Sequence, residues 1–334
     1  MLWLAGLFGL MAVGGFAFGD ILVDSDDENS DDDLPDTPTS GKSASLENTP
    51  IFSAFGLDPD QPVGETIIGD QSNQHLSGGE GDDQINGYDG DDTIDGASGR
   101  DDLYGGNGND KINGGDGADS LHGQDLDDIL LGGAGNDNLY GHNDDDQLNG
   151  DAGDDTLHGG MGDDLLFGGK GDDAVHGGIG DDTLYGGEGQ DTLFGGAGDD
   201  VLMGVSPNDG TPDSDVDFLN GGSGDDVIVA GETDIVTAGD GADTVIFGDW
   251  ITKDAPAILM DYDAAEDQLI VVWDLQSSPD PDIEVVADDS VAGLSHILVD
   301  GVEIAAVTGN QTVKVSDIIL VDHSDMGFFG SSAA

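Results

Sequence analysis

Between Gly69 and Met203 the chain repeats itself every nine residues, fifteen times in succession and without a gap. So short a period excludes layers built from long elements. A nine-residue unit cannot bury its own apolar side chain, so it must stack on its neighbours. A typical unit is Gly78-Gly79-Glu80-Gly81-Asp82-Asp83-Gln84-Ile85-Asn86. Position 1 is Gly in all fifteen units, and position 8 is always Leu, Ile or Val, from Leu76 through Leu202. Position 6 is Asp in fourteen successive units, Asp83 through Asp200, and position 4 is Gly in twelve.

Each preference has a physical cause. Glycine permits positive φ and brings bare backbone carbonyls close to a shared point. The position-6 carboxylate adds an anionic oxygen there. Such a set suits a hard cation, and calcium tolerates irregular geometry better than magnesium does. The last three residues of a unit, x-aliphatic-x, are expected to form a short strand with one inward side chain. Two units would then make an 18-residue coil with a turn on each side, and successive coils would lie about 4.8 Å apart.

Charge reinforces the point. Against 73 Asp and Glu stand 6 Lys and Arg, a formal charge of −67. Compact folding at that density of like charge requires counter-ions. A surface of this sign excludes nucleic-acid binding, which needs a basic footprint. The absence of Cys removes disulfides, thiolate metal sites and thiol nucleophiles.

The units resemble the repeats-in-toxin (RTX, haemolysin-type) nonapeptide Gly-Gly-x-Gly-x-Asp-x-aliphatic-x over about half the chain. The resemblance implies an all-β fold: a parallel β-roll, that is a right-handed solenoid of nonapeptides, followed by a small C-terminal β cap. It implies calcium ions between turns on the same side, on the order of a dozen if every gap is filled. By resemblance the carboxylate ligands are Asp83, Asp92, Asp101, Asp110, Asp119, Asp128, Asp137, Asp146, Asp155, Asp164, Asp173, Asp182, Asp191 and Asp200, then Asp217, Asp226 and Asp243. The accompanying carbonyls are those of Gly79, Gly81, Gly106, Gly108, Gly115, Gly117, Gly133, Gly135, Gly160, Gly162, Gly169, Gly171, Gly178, Gly180, Gly187, Gly189, Gly196, Gly198, Gly222 and Gly224.

Units two apart share a side, so the sites form two rows. The row of units starting at Gly78, Gly96, Gly114, Gly132, Gly150, Gly168 and Gly186 keeps Gly at position 4 throughout. On the other row, Gln124, Leu126, His142 and Asp144 replace glycines in neighbouring turns. A missing or distorted calcium site is expected between the turns of Asp128 and Asp146. Position 9 of the first row reads Asn86, Tyr104, His122, Tyr140, His158, His176, Phe194. Same-face pairing that steadies short strands is the favoured reading of this ladder. A partner- or glycan-binding stripe is the alternative, and transition-metal binding by two of its imidazoles would be weak.

Four regions separate on composition. Residues 1–19 are apolar and uncharged, and either a cleaved signal-like segment or a retained membrane anchor fits them. Residues 20–68 read as an acidic, disordered linker. Residues 69–246 are the roll, with a loop inserted at about 205–214. Residues 247–334 are β-rich, with strand runs at 257–260, 268–273, 283–286, 297–299, 302–307 and 318–321 and a hairpin signal at Asp300-Gly301. Asp261, Asp263 and Asp267 are candidates for one more calcium site. The tail from Asp317 is compatible with a type I secretion signal, which would make the export machinery a partner.

No catalytic constellation is present: no His-Glu-x-x-His, no Gly-x-Ser-x-Gly and no phosphate-binding glycine loop with Lys. The sequence therefore points to a non-enzymatic calcium-binding protein, exported from a bacterium or held at its surface, whose roll folds on meeting extracellular calcium. An adhesin or matrix component that uses the roll as a rigid spacer for its C-terminal region is the alternative.

Overall fold

The computed structural model describes residues 63–205, 215–252 and 255–323. The apolar segment 1–19, most of the acidic linker, most of the inserted loop and the end of the tail lie outside the described residues. The described chain is all-β, and its strands alternate between two sheets. Strands β1 (Thr66–Ile68), β2 (His75–Glu80) and β3 (Gln84–Asp89) open the roll, and one six-residue strand per nonapeptide follows through β15 (Thr192–Ala197). Odd-numbered strands stack in one sheet and even-numbered strands in the other, all parallel through the repeats. Facing residues are 18 apart, so two nonapeptides do make one coil. The roll begins at Thr66, three residues inside the segment that composition assigns to the linker.

The strands are six residues long rather than three. Each takes positions 7–9 of one unit and positions 1–3 of the next, as in Gln84–Asp89. Pairing skips position 1: Gln84, Ile85 and Asn86 face the next coil, then Tyr88 and Asp89, with Gly87 between them. A glycine with no side chain lets the ladder bend there without ending, which is why the unit makes more strand than its x-aliphatic-x triplet suggests.

The core is one column per sheet. Ile85, Ile94, Leu103, Ile112 and each ninth residue onward to Leu202 have no exposure. Around them the burial pattern alternates, with position 7 outward and positions 8 and 1 inward. On the odd sheet the outward position-9 side chains stack in register. Tyr104, His122 and Tyr140 lie 4.6 and 4.8 Å apart with planes within 6°. Tyr140, His158 and His176 continue at 5.3 and 4.8 Å. This is the same-face pairing expected of the ladder. A shorter stack, Phe167 on Tyr185 at 4.8 Å, sits on the other sheet.

The array survives its irregularities because pairing is set by the aliphatic column, not by chain count. The step from Asp191 to Asp217 is 26 residues, a coil with eight extra, yet β15 pairs with β17 (Phe218–Ser223) in unbroken register. The following coil is 17 residues, one short.

The C-terminal region caps the roll by prolonging it. Strands β21 (Ala257–Tyr262) and β22 (Gln268–Trp273) add one parallel rung to each sheet. Further out, Val302–Gly309 and Ile318–Asp322 add another. Leu294–Val299 and Ile283–Ala287 then close the odd sheet with antiparallel pairs. Asp300 and Gly301, at φ 51° and 76°, form the expected tight turn. The described C-terminal strands are thus continuous with the two sheets of the roll.

A one-column core makes a sharp prediction. Leu130→Ala should cost about 2–5 kcal/mol of folding stability, because a fully buried Leu leaves a cavity. Ile129→Thr, on the neighbouring outward position, should change it by about 0.5 kcal/mol or less. Urea denaturation of both variants in one buffer checks this, and equal losses would overturn it.

Candidate metal centre

The position-6 aspartates form two continuous columns, one at each edge of the roll. In each column the amide of one Asp donates to Oδ1 of the Asp a coil further on. Asp83 donates to Asp101, Asp101 to Asp119 and Asp119 to Asp137, each at 2.8 Å. The other column runs Asp92, Asp110, Asp128, Asp146 at 2.7–2.8 Å. The link passes the insertion, through Asp191 to Asp217 and Asp200 to Asp226, each at 2.8 Å. An outer rail runs beside it, in which position-5 carboxylates accept amides of the following coil, as Asp163 does from Asp181 at 2.9 Å.

The second carboxylate oxygen is the notable one. Oδ2 of every position-6 Asp from Asp83 to Asp182, and of Asp200, Asp226 and Asp243, is buried without a hydrogen-bond partner. A buried unsatisfied carboxylate oxygen is costly, and a native fold does not repeat it along a column without compensation. The glycine at position 1 makes room for it. A Cβ on Gly132 would sit 2.6 Å from Asp137 Oδ2 and 2.8 Å from the carbonyl oxygen of Gly150 on the next coil. Around most of the position-1 glycines from Gly87 to Gly221, one carboxylate oxygen and one backbone carbonyl of the next coil converge in this way. At positions 2 and 4 the glycines also hold φ between 107° and 157°, a region that favours glycine, and at most of them a Cβ would press on a backbone carbonyl of the preceding coil.

Among the described residues no three His, Cys, Asp or Glu side chains converge on one point. Any ion held here must draw on backbone carbonyls as well as carboxylates. Oxygen-only donors, anionic and neutral together, are the set a hard cation prefers. The residues present fit calcium.

Burial raises the carboxyl pKa along the columns. Asp101, Asp110 and Asp119 are pushed up to about 6. Asp155, Asp164 and Asp173 reach about 7, and Asp128 and Asp146 about 8. Desolvation is the main cause, with repulsion from neighbouring carboxylates added to it. Without a cation, Asp128 and Asp146 resist ionisation at neutral pH most strongly.

The columns take in Asp217, Asp226 and Asp243, and they also include Asp234, which keeps the spacing in a degenerate unit, and Asp267, which the sequence grouped instead with Asp261 and Asp263. Asp234 accepts from the Asp217 amide at 3.1 Å, and Asp267 from the Asp243 amide at 3.2 Å. Asp234 differs from the rest, because its Oδ2 accepts from Gly231 at 2.6 Å. The signal for Asp267 was its place before Leu269, two residues ahead of an aliphatic as in every unit; the long preceding loop hid it. Asp261 accepts from Ala238 and Gly239, and Asp263 from Ala265. These three acidic side chains brace turn amides as the roll aspartates do.

The row with substituted glycines departs in the turns where the sequence does. Elsewhere the position-4 amide donates to the position-3 carbonyl of the next coil, as Gly117 does to Ala134 at 2.7 Å. Leu126 lacks that bond, and its amide turns to Asp144 Oδ2 at 3.2 Å. The φ values at Leu126 and Asp144 are 76° and 68°, against 150° at Gly108 and 133° at Gly162 on the same row. A side chain cannot follow glycine to those larger angles, so the peptide planes rotate and the carbonyls re-aim.

A family model described as RTX calcium-binding nonapeptide repeat (4 copies) matches residues 68–103, 95–130, 122–157, 140–175, 176–206 and 213–245, just over half of the chain. Among solved structures, that of the extracellular lipase LipA from Serratia marcescens aligns over 78% of this chain and 41% of its own, at 16% identity and a TM-score of 0.21. The chain thus spans less than half the length of that lipase, and the likeness is too slight to bear on activity. No curated protein sequence matches significantly.

The raised carboxyl pKa values set a direction for the metal-free chain. A group whose pKa is higher in the fold contributes stability that is present at low pH and lost as pH rises through the folded value. With chelator present, β-structure should therefore be greater at pH 4 than at pH 8, the loss beginning at about pH 4, where the unfolded carboxylates ionise, and ending at about 6 to 8, where Asp101, Asp164 and Asp128 titrate in the fold. Far-ultraviolet circular dichroism checks this. A metal-free fold that strengthens with pH would contradict the assignment.

Proposed function

Because the chain belongs to the RTX calcium-binding nonapeptide repeat family, we propose that its roll is a calcium-dependent folding switch in an exported or cell-surface protein. The observation that carries this reading is the column of buried, unpartnered Oδ2 atoms, most of them beside a backbone carbonyl of the next coil. The ligands in this reading are the position-6 carboxylates from Asp83 to Asp200 with Asp217, Asp226 and Asp243, together with the glycine-loop carbonyls of positions 2 and 4. Calcium supplies the positive charge that the two columns lack.

The physics of a switch follows. Where calcium is scarce, the carboxylate columns repel and the chain stays expanded, a form suited to passage through a secretion channel. In extracellular modules calcium affinities are roughly 10⁻⁴ to 10⁻³ M, so millimolar calcium outside a cell fills such sites. Binding energy then becomes folding energy. Neighbouring ions share coils, so filling is cooperative. The reading is non-enzymatic, since the roll's carboxylates are held ionised by their cations and cannot serve as general acids.

Two measurements test it. Circular dichroism at pH 8 during a calcium titration should show a steep gain of β-signal, and full β-signal in excess chelator would discard the switch. For the substituted turns, Leu126→Gly with Asp144→Gly should raise the bound calcium by one ion per chain in equilibrium dialysis. Unchanged stoichiometry would show that those turns already bind, or that their backbone is not what limits them.

A further inference from the structure

The substituted turns do more than lose glycines: they bring a second imidazole to the outward ladder. His122 ends the triplet of its unit on the strand Ser120–Asp125, and His142 follows Tyr140 on the adjacent strand Asn138–Asn143. His122 Nδ1 lies 3.2 Å from His142 Nε2. Their ring centres are 5.4 Å apart and their planes 22° from parallel. The nitrogens are therefore closer than the centres by 2.2 Å (5.4 − 3.2), so they face one another across the gap. The two rings meet nitrogen to nitrogen, unlike the face-to-face stack of Tyr104 on His122.

The surroundings prepare these nitrogens as ligands. Ser120 Oγ lies 3.2 Å from His122 Nε2. With that hydroxyl accepting from Nε2–H, Nδ1 accepts from His142 Nε2–H, and a metal ion takes the place of that proton once His142 adopts its other neutral tautomer, with the proton on Nδ1. A hydrogen bond to the far nitrogen is how metal-binding imidazoles are oriented and held in one tautomer. Burial lowers the pKa of both rings, and each is kept in the neutral form a metal requires. His142 holds φ 87° at position 2, which is glycine in most units but Tyr88, Ala97, Gln124 and Asp151 in others. A bulky residue in that region is costly and marks a position retained for another reason. Gln124, directly opposite on the neighbouring strand, is left-handed too, at 94°.

We propose that His122 and His142 form a site for one imidazole-preferring metal ion of the Zn²⁺ or Cu²⁺ class, set over the turns where the calcium loops lose their glycines. Two nitrogens 3.2 Å apart fall within the span of two Zn–N bonds of about 2.0–2.1 Å meeting at one ion. No third His, Cys, Asp or Glu side chain converges there among the described residues, so water completes the shell and the ion stays exchangeable. The site differs in kind from the calcium columns, which offer only oxygen. Nitrogen donors select against calcium and for later transition metals.

The test uses the full chain in saturating calcium, so that carboxylates are occupied and the roll is folded. Zn²⁺ titrated by calorimetry should bind at one site at least tenfold more tightly than to His142→Gly. That variant restores the repeat residue and should fold at least as well as the parent. His122→Asn should lose the site equally, while the double variant His158→Asn, His176→Asn keeps it. Cu²⁺ added at one equivalent should give an electron paramagnetic spectrum with coupling to two nitrogens in the parent and to fewer in His142→Gly. Equal Zn²⁺ affinity in the parent and His142→Gly would overturn the proposal, showing the pair to be a hydrogen bond between rings. Loss of binding only in the His158, His176 variant would place the site elsewhere on the ladder and overturn it equally. Calcium-dependent folding, read by circular dichroism in the same samples, is independent of either result.

Discussion

A carboxylate with one oxygen hydrogen-bonded and the other buried beside a backbone carbonyl is the unit on which the roll depends. Its Oδ1 locks each coil to the next, from Asp83 through Asp267. Its Oδ2 makes the same lock conditional, because burying an uncompensated charge costs more than the hydrogen bond returns. A single aliphatic column in each sheet is a thin core for a chain carrying −67. Protonation or a cation must offset the columns, and at neutral pH only a cation does so while leaving the carboxylates ionised.

The glycines follow from the same constraint. Position 1 is glycine for space, since a methyl group there would occupy the hollow between Asp Oδ2 and the next carbonyl. Positions 2 and 4 are glycine for backbone angle as well as for close approach of the preceding coil, and there the repeat tolerates exceptions. Tyr88, Ala97 and Asp151 occupy position 2 with positive φ and leave the ladder in register. Leu126 and Asp144 at position 4 do not, and the amide bond of that turn is redirected. Space admits no substitute in fifteen units, whereas angle admits several.

Much of this was legible in the nonapeptide. Period and spacing predict the two-unit coil, the two rows, the buried aliphatic column and the stacked position-9 rings, because a stack of identical units places identical positions in contact. They also point to the turns of Leu126 and Asp144 as the irregular ones. The length of the strands was not legible, since glycine carries no β-propensity and only the neighbouring coil shows that positions 1–3 pair. Asp267 was legible as a candidate ligand but not as a member of the column, for a related reason: its spacing from Asp243 is set by a loop, and a carboxylate joins the column by its height in the stack, not by its count along the chain.

The sequence by itself determined the fold class, the aspartate columns and the hard-cation chemistry, for each follows from residue type at fixed interval. The tertiary structure decided which carboxylate oxygen is used and which is spare. It showed the C-terminal strands to be further rungs of the same sheets, and it set His142 against His122. Those facts depend on contacts between residues 18 or more apart, or between different positions of different units. A periodic sequence specifies that its units stack; where the period breaks, only the stacked coils reveal what the altered side chains meet.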